Sequence, residues 1–154
     1  MKKIWATRLT DVSSTDKEGI GALRFEGAKA YKYVQYSDGT ANLTGAAGDF
    51  TGYVTYTATS VVVTTDVSDT FGVGAGMLMA TVLDLQYCWI QIKGRAVLST
   101  AIGGTPANGS VLTFTAAADR ATTRLNDQTA AAALNGVGWA IDAASRIVVL
   151  NCTW

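Results

Sequence analysis

Short runs of β-branched and aromatic residues recur along this chain, each closed by a turn signal rich in Gly, Asp, Asn or Ser. The spacing, roughly 8–12 residues, is that of all-β sandwiches and barrels. Strands are expected over Gly19–Glu26, Lys29–Tyr36, Gly52–Thr57, Ser60–Thr65, Ala75–Leu83, Ser110–Thr115, Val137–Ala143 and Arg146–Thr153. Two more are expected over Tyr87–Ile92 and Arg95–Thr100, joined as a hairpin at Lys93-Gly94. No strand alternates with a long amphipathic helix, which argues against a βαβ architecture. Thr129–Leu134 has helix propensity, but a run that short supports only a turn of helix. The expectation is one compact β domain over residues 19–154, of roughly nine or ten strands. Residues 1–18, polar and aperiodic around the single large anchor Trp5, read as an extended N-terminal arm.

Period-two alternation assigns faces. Tyr31, Tyr33 and Gln35 share one face of their strand, and Lys32, Val34 and Tyr36 share the other. In the same way Cys88, Ile90 and Ile92 form a core face, opposite Tyr87, Trp89 and Gln91. The Tyr/Trp/Gln faces have three readings: a second core layer, a subunit contact suited to aromatics and uncharged polars, or a sugar-binding platform. Tyr31, Tyr33, Tyr87, Trp89 and Gln91 are therefore the candidate subunit-interface residues.

Composition narrows the chemistry. The chain contains no histidine. That removes Ser-His-Asp and Cys-His catalysis and nearly all catalytic zinc sites. Of ten aspartates, most fall in expected turns, where the carboxylate bonds nearby backbone. The two glutamates are Glu18 and Glu26, and nothing marks any two acids as a catalytic pair. Asp66 and Asp69 would suit calcium as oxygen ligands, yet the loop lacks the acid spacing of an EF-hand and reads as a solvated turn. Gly72, Gly74 and Gly76 precede a strand rather than a helix, so they suit close backbone approach rather than a phosphate. Cys88 and Cys152 lie in apolar strands and read as small buried hydrophobes, bridged only if their strands are neighbours. No catalytic residue, cofactor or metal site is expected.

Charged residues make up 16% of the chain against about 25% in an ordinary domain. The surface must therefore be built from Thr, Ser, Ala, Gly and Asn, which lose little hydration on docking. Net charge is zero, the wrong electrostatics for nucleic acid. No apolar run is long enough to span a membrane. The N-terminal Lys2-Lys3 is followed by Arg8 and Asp11 rather than an apolar stretch, so no secretory signal is expected.

One segment, Gln86-Tyr-Cys-Trp-Ile-Gln-Ile-Lys-Gly-Arg-Ala-Val-Leu-Ser-Thr100, resembles a stretch common in head decoration (cement) proteins of tailed bacteriophages. The resemblance continues in order along the chain. It includes Gly27-Ala-Lys-Ala-Tyr-Lys-Tyr-Val-Gln-Tyr36, Ala47-Gly-Asp-Phe-Thr-Gly-Tyr-Val-Thr-Tyr56, Ser68–Gly76, Val137–Asp142 and Leu150-Asn-Cys-Thr-Trp154. It fails near residue 130. It implies a β-tulip or barrel-like protein, with no catalytic residues, that assembles as a homotrimer. Its place would be the outer surface of the capsid in the virion, added in the host cytoplasm, with the major capsid protein as partner. On that reading Trp5 anchors the arm on the coat, and Lys2, Lys3 and Arg8 meet acidic coat surface. The alternative of another class is a carbohydrate- or receptor-binding module of a fibre or adhesin.

Overall fold

The computed structural model describes residues 4–114, 119, 123–124 and 136–152. Within them the chain is all-β, as the spacing predicts. The strands are β1 (Leu23–Glu26), β2 (Lys29–Ser37), β3 (Phe50–Tyr56), β4 (Val61–Thr64), β5 (Gly74–Leu78), β6 (Tyr87–Val97), β7 (Val111–Thr113), β8 (Thr123–Arg124), β9 (Gly136–Asp142) and β10 (Ile147–Asn151). A single 3-10 turn, Val67–Asp69, interrupts the loop after β4. The expected helical turn at 129–134, the last residues of the closing strand, and Lys2 and Lys3 lie outside the described residues. Among the described residues no helix is long and apolar enough to cross a membrane.

Neighbouring strands run β1-β2-β4-β3-β5-β6-β10-β9-β7-β8, and β2 also pairs with β6. That extra pairing closes β2, β4, β3, β5 and β6 into a five-stranded barrel. Only β2–β4 is parallel within the ring. Closure leaves the ring without a free edge along which another chain could pair. Strands β10, β9, β7 and β8 extend from β6 as an outer sheet.

The sheet turns on β6. Tyr87–Ile92 and Arg95–Thr100 are not two strands of a hairpin: β6 runs continuously from Tyr87 to Val97. Gly94 does adopt a positive φ of 95°, but as a kink within the strand rather than a turn. A Cβ there would stand 2.7 Å from the Ala28 carbonyl oxygen, so only glycine fits. Pairing with β2 ends at Lys93, and pairing with β10 starts at the same residue. The kink thus transfers one strand from the barrel to the outer sheet.

Val34, Tyr36, Cys88, Ile90 and Ile92 lie in one core with Ala96, Val148, Leu150, Ala140, Leu112, Val137 and Phe114 of the outer sheet. Phe50 of β3 and Phe114 meet at 5.6 Å between ring centroids across the two layers. Gly52 and Gly74 leave the space for Phe114 and Val137. Cys88 and Cys152 are buried free thiols. Their strands are neighbours, but Cys88 sits opposite Val34 in the barrel while the Cys152 amide bonds the Ile92 carbonyl at the far end of β6. Burial pushes both thiols up to about 12.

Candidate interaction surfaces

The aromatic face of β2 and β6 forms a second, smaller core. Tyr31, Tyr33 and Trp89 are buried there, with Trp5, Leu9, Ala22, Met79 and Tyr87 packed around them. Trp89 has no exposed surface at all. Gln91 is buried too, its amide donating to the carbonyls of Lys93 and Arg95. Of the three readings of this face the structure supplies the core layer. Trp5 and Leu9 of the N-terminal segment, with Ala22, Met79 and Tyr87, cover Tyr31, Tyr33 and Trp89, and these three and Gln91 have almost no exposed surface within one copy. Tyr87 is half-buried, stacked on Tyr33 at 6.1 Å. The Tyr33 hydroxyl points towards the Lys17 backbone without completing a hydrogen bond.

The arm is correspondingly not free. Trp5 stands edge-on to Trp89 at 5.2 Å, and the Arg24 guanidinium lies 5.8 Å from the Trp5 ring. Thr7 donates its amide and hydroxyl to Glu18 at 2.6 and 2.7 Å, and its carbonyl accepts from Arg24 at 3.0 Å. Ser13 exchanges two backbone hydrogen bonds with Tyr87. Trp5, expected to reach a coat subunit, instead closes the small core; an apolar ring finds its nearest apolar surface within its own fold. Arg8 remains exposed and rims a shallow, open depression of about 560 Å³ that Trp5, Thr7, Arg24 and Glu26 also line. Ile4 beyond it is 92% exposed.

Lys32 is the feature that alternation placed and intuition resists. It shares the inward face with Val34 and Tyr36 and is itself buried. Its Nζ donates to the Tyr53 hydroxyl at 2.9 Å and the Tyr56 hydroxyl at 3.4 Å, and it lies 4.7 Å from the Tyr56 ring centroid. Burial lowers its pKa to about 8. Desolvation, with the neighbouring Tyr56 next, raises that of Tyr53.

Asp66 and Asp69 act as loop ties. Asp66 accepts from the Ser68 hydroxyl at 2.6 Å, from the Ser68 amide at 3.1 Å and from the Ala41 amide at 2.9 Å. Asp69 accepts from the Thr40 amide at 2.6 Å. The carboxylates fasten the 38–43 loop to the turn after β4; Asp66 is buried, so the turn is a packed tie rather than the solvated loop expected. Among the described residues no group of three or more His, Cys, Asp or Glu is placed to hold a metal ion.

Sequence reasoning missed two exposed apolar features. On the solvent side of the outer sheet, Val149 of β10 pairs with Trp139 of β9, and Trp139 pairs with Val111 of β7. Val97 pairs with Ile147 one step along, beside Ile141. Trp139 is 45% exposed, and Val97, Val111 and Ile141 are comparably open. These side chains form a continuous apolar stripe across four strands, with Lys93 and Arg95 of β6 at its border. Alternation in Gly136–Asp142 groups Val137, Trp139 and Ile141 on one face, yet a register shift at Val137 buries that residue while Trp139 and Ile141 face solvent. The second feature is the turn before β6, where Leu83 and Leu85 are 55% and 63% exposed.

The chain matches no family model, and no curated protein is found similar to it. Among solved structures it is similar to the crystal structure of the head fiber gp8.5 N base in bacteriophage phi29, at 10% sequence identity and a TM-score of 0.49. That likeness covers 81% of this chain and 94% of the other, and is too distant to carry function across.

Proposed function

We propose that the chain is a structural component of a tailed-phage head, bound as a homotrimer to the outside of the coat lattice and bridging coat subunits, with no catalytic role. The observation that carries this reading is the apolar stripe over Val97, Val111, Trp139, Ile141 and Val149. Contiguous exposed apolar surface on a well-packed fold marks a face made to be covered, which supports the self-association part of the reading. The ordered resemblance of the β2, β3, β5, β6 and β9 segments to head decoration proteins supplies the setting. The major capsid protein is the partner on this reading.

The physical logic is multivalency. An oligomer gripping several coat subunits converts each later contact into an intramolecular one, raising avidity by ~10²–10⁴. A ligand that binds only the closed lattice stabilises it by mass action. Trp5 is packed on Trp89 and offers the coat only its half-exposed remainder beside Arg8. The arm contributes what it exposes, Ile4 and Arg8, together with Lys2 and Lys3. The sugar-binding alternative loses its support, since Tyr31, Tyr33 and Trp89 are buried. Mass spectrometry of purified particles tests the proposal: the chain is expected at fixed stoichiometry with coat protein, and its absence from heads would overturn it.

A further inference from the structure

We propose that copies of this chain join head to tail, the Leu83-Asp84-Leu85 turn of one copy seating on the Trp139/Ile141/Val149 stripe of the next, with Asp84 meeting Arg95. This contact deepens the self-association within the proposed function and is tested on the purified chain. Failure here leaves head binding standing, and absence from heads leaves this contact standing.

The turn is built as a rigid knob. Its Gln86 amide closes onto the Leu83 carbonyl at 3.2 Å, and the Leu83 amide donates to the Gln86 side chain at 2.9 Å. The Leu85 amide bonds the Tyr36 carbonyl at 2.9 Å, and the Leu85 carbonyl accepts from the Gln35 amide group at 3.2 Å. Asp84 accepts from the Asp38 amide at 3.2 Å, and the buried Val82 pairs with Gly45 on the other side. Leu85 is held at a φ of 58°, a left-handed backbone that a leucine rarely adopts. A bulky residue kept in a disfavoured conformation, with its side chain in solvent, points to a surface role rather than a folding one.

The stripe is the complementary half. It is apolar, centred on an exposed Trp of the kind that anchors interfaces, and bordered by the exposed cations Lys93 and Arg95. The knob is apolar, flanks a carboxylate, and so matches it in charge. The knob immediately precedes β6, which begins at Tyr87, and the stripe borders Arg95 and Val97 at the other end of that strand, ~25 Å away at the rise of a strand. The two halves therefore sit at opposite ends of β6, too far apart to meet within one copy. A contact between unlike patches closes into a ring or runs on as a chain.

Sedimentation velocity on two surface variants decides the matter. Leu83→Ser with Leu85→Asn removes the knob, and Asn accepts the left-handed backbone, so this variant folds. Trp139→Thr with Ile141→Thr removes the stripe while keeping residues suited to strands. The wild-type chain is expected to associate below about 100 µM. Each variant alone should stay monomeric at that concentration, and an equimolar mixture should form a dimer and stop. A monomeric wild type would overturn the proposal. So would a knob variant that still associates, which would mean stripe against stripe, or a mixture that stays monomeric.

Discussion

Trp89 donates its indole N–H to the Thr7 hydroxyl at 2.9 Å, tying the centre of β6 to the N-terminal segment. That bond gives a fully buried polar group its partner, and Trp5 covers the same ring edge-on. Thr7→Ala should destabilise the domain by ~1–3 kcal/mol, the cost of an unpaired buried donor. Removing residues 1–12 should do more, uncovering Trp89 and Tyr33 together. Urea unfolding followed by tryptophan fluorescence measures both, and a truncated chain with unchanged stability would show the arm to be dispensable for folding.

The contribution of Lys32 to stability rises with alkali. Its folded pKa is about 8 against an ordinary 10.5. Below pH 8 both folded and unfolded chains hold the proton and burial of the charge costs about 3 kcal/mol. Between pH 8 and 10.5 the unfolded chain binds more protons, so stability increases with pH. Cys88 and Cys152, raised, oppose this once unfolded thiols ionise near pH 9, and Tyr53, raised, joins them near pH 10, so the Lys32 contribution is read as a difference from a variant. Lys32→Met should be neutral or stabilising at pH 7 and should lack the rise between pH 8 and 10. Urea midpoints of wild type and Lys32→Met across that range check it; a difference between the two that stays constant from pH 8 to 10 would contradict the assignment.

Asp66 acts at the acid end. Hydrogen bonds, led by the Ser68 hydroxyl, hold its carboxyl below the usual range. Its contribution is complete above the ordinary carboxylate pKa and is lost as pH falls through the lowered folded value. Asp66→Ala should cost ~2 kcal/mol at pH 7 by leaving the Ala41 and Ser68 amides without their acceptor. The difference between mutant and wild type should shrink below about pH 4, measured by thermal unfolding in a pH series.

Gly138 sits at a φ of 148°, and a Cβ there would lie 2.0 Å from the Val149 carbonyl oxygen. That oxygen belongs to the adjacent strand backbone and cannot move aside cheaply. Gly138→Ala should destabilise by about 3 kcal/mol or more through strain and clash. Hydrogen exchange should show the loss first in β9 and β10.

The two thiols report global unfolding. Raised to about 12 by burial, Cys88 and Cys152 offer almost no thiolate to a disulfide reagent in the folded state. Labelling at pH 8 should follow the rate of unfolding, and fast modification of either would show a local opening.

Class and strand positions were legible because period-two alternation and turn signals are local. Alternation also sorted β2 and β6 correctly into a core face and an aromatic face, Lys32 included. The partner of the aromatic face was not legible, since what covers Tyr33 and Trp89 arrives from the start of the chain, and residue spacing says nothing about such distant contacts. Lys93-Gly94 misled for a similar reason. A positive-φ glycine serves a hairpin turn or a kink equally well, and only the neighbouring strands decide which. The stripe on β9 was not legible, because alternation groups Trp139 and Ile141 with the buried Val137, and the register shift that separates them is set by the pairing with β7.

Because β6 belongs to both the barrel and the outer sheet, a tug on Trp139 or Val149 is conveyed lengthwise into the barrel wall. Its junction with β2, six register pairs long, is then loaded in shear, with all the pairs resisting together instead of unzipping in turn. The outer sheet is a handle bolted along the grain.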